Sequence, residues 1–144
     1  MHDLPHRYSV SANGTAADEV TLSGGGGSDI RSMPPPEFGG PGGYWSPESL
    51  LVAAVADCFV LSFKAIARAS RFDWIALDCR VDGELDRVDR RIRFTAFKVT
   101  AELTVAEGTN TEKAERLLEK AEQACLITNS LIAESHLSTS VNLI

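Results

Sequence analysis

The sequence predicts an α+β domain, and three observations carry that prediction. Apolar and polar residues alternate with period two in residues 7–23, 75–105 and 136–144; two other segments repeat their apolar residues at helical spacing; and the resulting order is ββ–α–ββ–α–β. The chain has 144 residues, 44% of them apolar, which suits one domain, 1–144, large enough to bury a core.

The elements follow in order. Residues 7–23, RYSVSANGTAADEVTLS, hold two short alternating runs around Asn13-Gly14 and predict an N-terminal hairpin. Residues 24–45 contain eight of the eleven glycines and four of the six prolines, a composition that excludes helix and disfavours long strands. About twenty residues is long for a passive connection, so this segment reads either as a linker or as a loop lying over a site. A helix begins next. Ser46 can cap it, Pro47 suits the first helical position, where a missing N–H costs nothing, and Glu48 favours the dipole. From Leu50 to Ala69 apolar residues surround the helix except along Asp57, Lys64 and Arg68, which predicts a central, mostly buried helix.

Two long strands are expected in 75–105. Leu77, Cys79 and Val81 share one face of the first; the apolar phase of the second changes near Ala96–Phe97, which calls for a bulge or a strong twist. Thr109-x-x-Glu112 reads as a capping box opening a second helix, with Ala114, Leu117, Leu118, Ala121, Ala124 and Cys125 on its apolar stripe. Residues 136–144 close the chain as a strand, Leu137, Thr139, Val141 and Leu143 alternating with polar neighbours.

Composition narrows the function. Twenty acidic residues against fourteen Lys plus Arg give a net charge of −6, and the basic residues are scattered apart from Arg87, Arg90, Arg91 and Arg93, which argues against nucleic acid as a partner. No basic start followed by an apolar core marks a leader, and Asp57, Lys64 and Arg68 interrupt the best apolar run, so a soluble cytoplasmic protein without a membrane partner is expected. The cysteines, at 58, 79 and 125, match neither a disulfide framework nor a C-x-x-C pair. Cys79 reads as core. Cys58 and Cys125 lie on apolar faces of the two helices; if those helices pack together the thiols approach each other, whereas the plainer reading makes both small buried hydrophobes.

The local sequences add to this. SPESLLVAAVADCF, with EFGGPGG before it and EQACLITNSL after it, resembles the OsmC/Ohr family in its Pro-Glu-x-Leu helix start, its small apolar run ending in Cys-Phe and its later cysteine in a second helix. The resemblance implies an intertwined homodimer whose strands wrap two central helices, with sites at the dimer interface, and a thiol peroxidase acting on organic hydroperoxides. Cys58 then matches the peroxidatic cysteine and Cys125 the resolving one: a sulfenic acid on Cys58 would condense with Cys125 to a disulfide, to be reduced by an external dithiol that the resemblance makes lipoyl-type. No bound cofactor is implied. An apolar pocket would favour alkyl or lipid hydroperoxides, yet burial raises a thiol's pKa, so a cation or oriented donors must hold the thiolate.

In the family an arginine does this, oriented by the glutamate of the Pro-Glu segment, which Glu48 matches. Ten residues of straight helix separate Glu48 from Cys58 by about 15 Å, so contact between them needs a break in the helix or a Glu48 from the partner subunit. The family's arginine positions hold Asn13-Gly14-Thr15 and Glu37-Phe38 here; Arg7 and Arg31 are the only arginines before the helix, and Arg31 is the candidate substitute, with a surface arginine as the alternative. Ala124-Cys125-Leu126 also departs from the family's His-Cys-Pro. His136 reads as a strand-surface residue, and a zinc site from Cys58, Cys125 and His136 lacks motif spacing. A second function class stays open: an OsmC-like protein without efficient peroxidase chemistry that binds a small apolar ligand or senses oxidants.

Overall fold

The computed structural model describes residues 1–144, which divide into two compact units, Met1–Leu50 and Leu51–Ile144. In the first, strands β1 (Ser11–Asn13), β2 (Val20–Ser23) and β3 (Ile30–Ser32) form an antiparallel sheet in the order β1-β2-β3. The expected hairpin is present, but a loop over residues 14–19 replaces a tight Asn13-Gly14 turn, pairing Asn13 with Thr21. Thr15 and Asp18 hold that loop, the Asp18 N–H donating to Thr15 Oγ1 at 3.2 Å. β3 is an addition to the sequence reading. Ile30, Arg31 and Ser32 are a glycine-free island between two Gly/Pro-rich runs, short enough that composition over the whole segment hides it.

The remainder of the Gly/Pro-rich segment is ordered by its own backbone. A 3-10 turn at Pro36–Phe38 ends at Gly39 with φ 85°, and the Met33 N–H donates to the Trp45 carbonyl at 2.9 Å. A Cβ on Gly40 would lie 1.6 Å from the Pro34 carbonyl oxygen, so no other residue fits there without moving the chain. Helix α1 (Pro47–Ala69) starts as expected: the Ser49 N–H donates to Ser46 Oγ at 3.1 Å and the Ser46 N–H to Ser49 Oγ at 2.9 Å, a reciprocal cap with serine where a capping box has Glu.

The second unit is built on β4 (Ala76–Val88), β5 (Arg91–Val105), α2 (Thr111–Ala124), a single-turn α3 (Leu126–Asn129) and β6 (Glu134–Leu143). β4 and β5 are an antiparallel hairpin closed by Asp89 and Arg90, both at positive φ. The register shifts between Glu84, opposite Ala96, and Leu85, opposite Phe94, leaving Thr95 as the extra residue. The bulge inferred from the phase change therefore exists, one residue earlier than Ala96–Phe97. Thr95 uses its freedom to donate its hydroxyl to the Glu84 carboxylate at 2.5 Å.

β6 pairs with β5 in parallel, and α2 and α3 form the crossover that a parallel pair requires. Asn110, not Thr109, caps α2, accepting from the Lys113 N–H at 3.1 Å; Asn is the stronger cap, and Gly108 at φ 87° turns the chain one residue later than the Thr-x-x-Glu spacing suggests. α2 ends at Ala124, so Cys125 stands at a break between helices instead of on the α2 stripe.

One core joins these elements. Val55, Phe59, Phe63 and Ala67 of α1 pack with alternate β5 residues Phe97, Val99, Ala101, Leu103 and Val105, and with Ala114, Leu117, Leu118 and Ala121 of α2. Leu77, Cys79 and Val81 of β4 and Leu137 and Val141 of β6 border it, as the alternation predicts. α1 differs from expectation in its burial. Only one stripe is covered, Leu61 stays 55% exposed, and the helix is long and apolar enough to cross a membrane by length and composition alone. A single chain supplies one sheet and one helix to one side of α1, which cannot enclose it.

Gly83 marks the tightest part of this packing: a Cβ there would lie 2.9 Å from both Phe94 Cε1 and Val52 Cγ2. Gly83→Ala should cost about 1–3 kcal/mol in urea unfolding through overpacking. Adding Val52→Ala should recover part of that loss, and strictly additive costs would show that the two sites do not meet.

Candidate active site

Cys58 lies on α1 one residue before the buried Phe59, partly exposed beside the core. The break after α2 decides what faces it. Cys125 takes an extended backbone (φ −64°, ψ 102°), its N–H donating to the Glu122 carbonyl at 3.2 Å and its own carbonyl accepting from the Asn129 N–H at 3.0 Å and Thr128 Oγ1 at 3.1 Å. The chain thus leaves one helix and restarts another at Cys125. The first amides of a helix have no partner inside it, and those of Leu126 and Ile127 are among the groups that lower the Cys58 thiol.

The Cys125 thiol, 2% exposed, and the Ser62 hydroxyl, 3.9 Å from Cys58 Sγ on the next turn of α1, complete the donor set. Burial pushes the Cys58 thiol up; the Ile127 amide, the Cys125 thiol, the Ser62 hydroxyl and the Leu126 amide together outweigh it and hold the thiol below its ordinary value. No cation takes part. A thiolate is thus favoured at a partly exposed sulfur by neutral groups, and one of them is a second thiol.

The other expected residues fall elsewhere. Arg31 is on β3, its side chain 72% exposed, paired with Glu19 at 3.6 Å and not with Glu48. Glu48 is in the first turn of α1; its Oε2 is buried without a hydrogen-bond partner, beside an apolar groove of about 270 Å³ that Val20, Met33, Pro34, Pro35 and Phe38 also line. α1 is unbroken, so the helix break that would carry Glu48 toward Cys58 does not occur. His136 is on the exposed face of β6, 3.6 Å from Glu134, and no group of His, Cys, Asp and Glu is placed to hold a metal ion. Cys79 borders the core from β4, where burial and, second, the charge of Cys125 push its thiol up to about 11.

Sequence reasoning missed Ser62, Leu126 and Ile127. Ser62 was legible as the i+4 neighbour of Cys58 on a helix. The two amides were not, because backbone groups leave no trace in residue type.

Comparison with known proteins bears on the family and the fold. Residues 40–140 match the model of the family described as OsmC-like protein. The peroxiredoxin OsmC of Escherichia coli is 28% identical over 89 residues, which is 62% of this chain and 62% of that protein, so the match spans less than two-thirds of the relative. An OsmC-like protein of unknown function from Vibrio cholerae superposes with a TM-score of 0.86 at 19% identity, over 94% of this chain and 100% of that one. An organic hydroperoxide resistance protein OsmC from Legionella pneumophila superposes with a TM-score of 0.72 at 23% identity, over 97% and 99%.

The different environments of the thiols predict their order of reaction. At pH 8 iodoacetamide should modify Cys58 first, while Cys79, with a thiolate fraction about a hundredfold below an ordinary thiol's because its pKa stands near 11 instead of 9, should react at a correspondingly small rate. Peptide mapping over time checks this, and equal rates at Cys58 and Cys79 in the folded protein would contradict it.

Proposed function

The chain belongs to the OsmC-like protein family, and from that premise we propose that it is a thiol-dependent peroxidase of organic hydroperoxides. The observation that carries this reading is the Ser62 hydroxyl 3.9 Å from the Cys58 sulfur, with the Cys125 thiol and the Leu126 and Ile127 amides also among the groups that lower that thiol. In the reaction, the Cys58 thiolate attacks the terminal oxygen of R–O–OH. The O–O bond breaks, the leaving alkoxide takes up a proton to become an alcohol, and Cys58 becomes a sulfenic acid. The Cys125 thiol then attacks that sulfur, water leaves, and a Cys58–Cys125 disulfide remains. An external dithiol, which we assign to the lipoyl class on the family resemblance alone, restores both thiols by exchange.

The substrate class in this reading is an alkyl or lipid hydroperoxide, whose chain the apolar residues of α1 beside Cys58 suit better than they suit hydrogen peroxide. The active form is a homodimer and the setting cytoplasmic in this reading; the uncovered apolar side of α1 and the partnerless Glu48 oxygen support a second copy closing over the chain. One observation favours a second reading. The donors at Cys58 are all neutral and Arg31 is engaged with Glu19, so an OsmC-like protein with weak peroxidase chemistry, binding a small apolar ligand or sensing oxidants, is the alternative.

One equivalent of cumene hydroperoxide should remove two thiols per chain and yield a Cys58–Cys125 disulfide in non-reducing peptide maps. Cys58→Ser should abolish peroxide consumption, Cys125→Ser should leave a dimedone-reactive sulfenic acid on Cys58, and Cys79→Ser should leave turnover nearly intact. Persistence of the peroxide with both thiols reduced would instead select the second reading. Light scattering should give twice the 15.5 kDa chain mass at micromolar concentration, and a monomer mass throughout would remove the dimer.

A further inference from the structure

We propose that Ser62 is a catalytic residue of this site: its hydroxyl donates a hydrogen bond to the Cys58 thiolate and so does, without charge, part of what a cation would do at that sulfur. The inference rests on the peroxidase reading for what the thiolate attacks, but not for the existence of the hydrogen bond.

Two geometric facts support it. A serine inside a helix ordinarily turns its hydroxyl back to the carbonyl four residues earlier. For Ser62 that residue is Cys58, and the hydroxyl instead meets Cys58 Sγ at 3.9 Å, with no hydrogen bond to the Cys58 carbonyl. Both groups ride on adjacent turns of α1, which Phe59 and Phe63, the residues following each of them, anchor in the core. The donor therefore keeps its place as the sulfur changes from thiol to thiolate. Second, the groups that lower the Cys58 thiol are all neutral, and Ser62 is the one side-chain hydroxyl among them. The Ser62 proton stays on its oxygen throughout; the hydroxyl moves neither proton nor electron pair.

A donor of this kind leaves a signature that a packing role would not. Removing it lowers the fraction of thiolate at neutral pH but makes each thiolate more nucleophilic, since reactivity rises with thiol pKa at a Brønsted slope of about 0.4–0.5. Ser62→Ala, which also improves helix propensity, should move the midpoint of Cys58 alkylation upward by about one pH unit. Below the midpoint iodoacetamide should react about three- to fourfold more slowly than with the parent, and on the alkaline plateau about threefold faster, so that the two profiles cross. Ser62→Thr, which keeps the hydroxyl, should follow the parent.

The experiment is peptide-resolved alkylation of Cys58 in the full chain from about pH 5 to about pH 11, with circular dichroism confirming the fold. A Ser62→Ala profile superimposed on the parent's, or a Ser62→Thr profile displaced like that of Ser62→Ala, overturns the proposal. Crossing profiles in a protein that consumes no cumene hydroperoxide would uphold Ser62 as the donor and remove the peroxidase reading. Peroxide turnover with unmoved profiles would do the reverse.

Discussion

Everything at the candidate site depends on one packing contact, the seating of the Val55–Phe59–Phe63–Ala67 stripe of α1 against β5 and α2. Phe59 and Phe63 are fully buried in it, each worth about 1.5–3 kcal/mol as apolar surface removed from water. The same contact fixes the rotation of α1 about its axis. With Phe59 committed to the core, its neighbour Cys58 is held at the edge of that core, where the end of α2 passes. A small turn of α1 would bury Cys58 away from solvent or carry it away from Cys125.

The second requirement is electrostatic. A thiol beside an apolar core is normally discouraged from ionising, and the chain counters this without spending a charge. It interrupts α2 at Cys125 and restarts a single turn, which frees two amides and puts the second thiol among them. The interruption is held by local hydrogen bonds: Asn129 and Thr128 to the Cys125 carbonyl, and Asn129 Nδ2 to the Gln123 carbonyl at 3.1 Å. Cys79 shows what happens without such donors. Set on the same core in the middle of a strand whose amides are paired, its thiol is pushed up. One fold therefore moves the Cys58 and Cys79 thiols in opposite directions.

Features of the single chain point to a missing surface. α1 is apolar on sides that no element of this chain covers, and a carboxylate oxygen of Glu48 is buried with no donor to satisfy it. Both are costly in isolation. A second copy placed over α1 would relieve the first, and any donor it brought to Glu48 the second, which is the physical content of the homodimer proposed above.

The sequence by itself determined the main elements except β3 and the single-turn α3, most of the apolar faces, and the family. Proline and glycine punctuation, a cap at Ser46, period-two runs and the SPESLLVAAVADCF and EQACLITNSL segments are local signals, and local signals survive in residue order. It placed the bulge within a residue, because a bulge is a phase change that side-chain alternation records. It overestimated the burial of α1, since apolar residues all round a helix state a demand for cover without saying which chain meets it. It set Cys125 inside a helix because helical spacing continues through a break that the backbone makes. The parallel pairing of β5 with β6, the approach of Cys125 to Cys58 and the turning of two amides toward that sulfur were decided only by the tertiary structure. Their common reason is that each joins residues distant in the chain through backbone groups or relative rotation, and neither is encoded in the identity of any one residue.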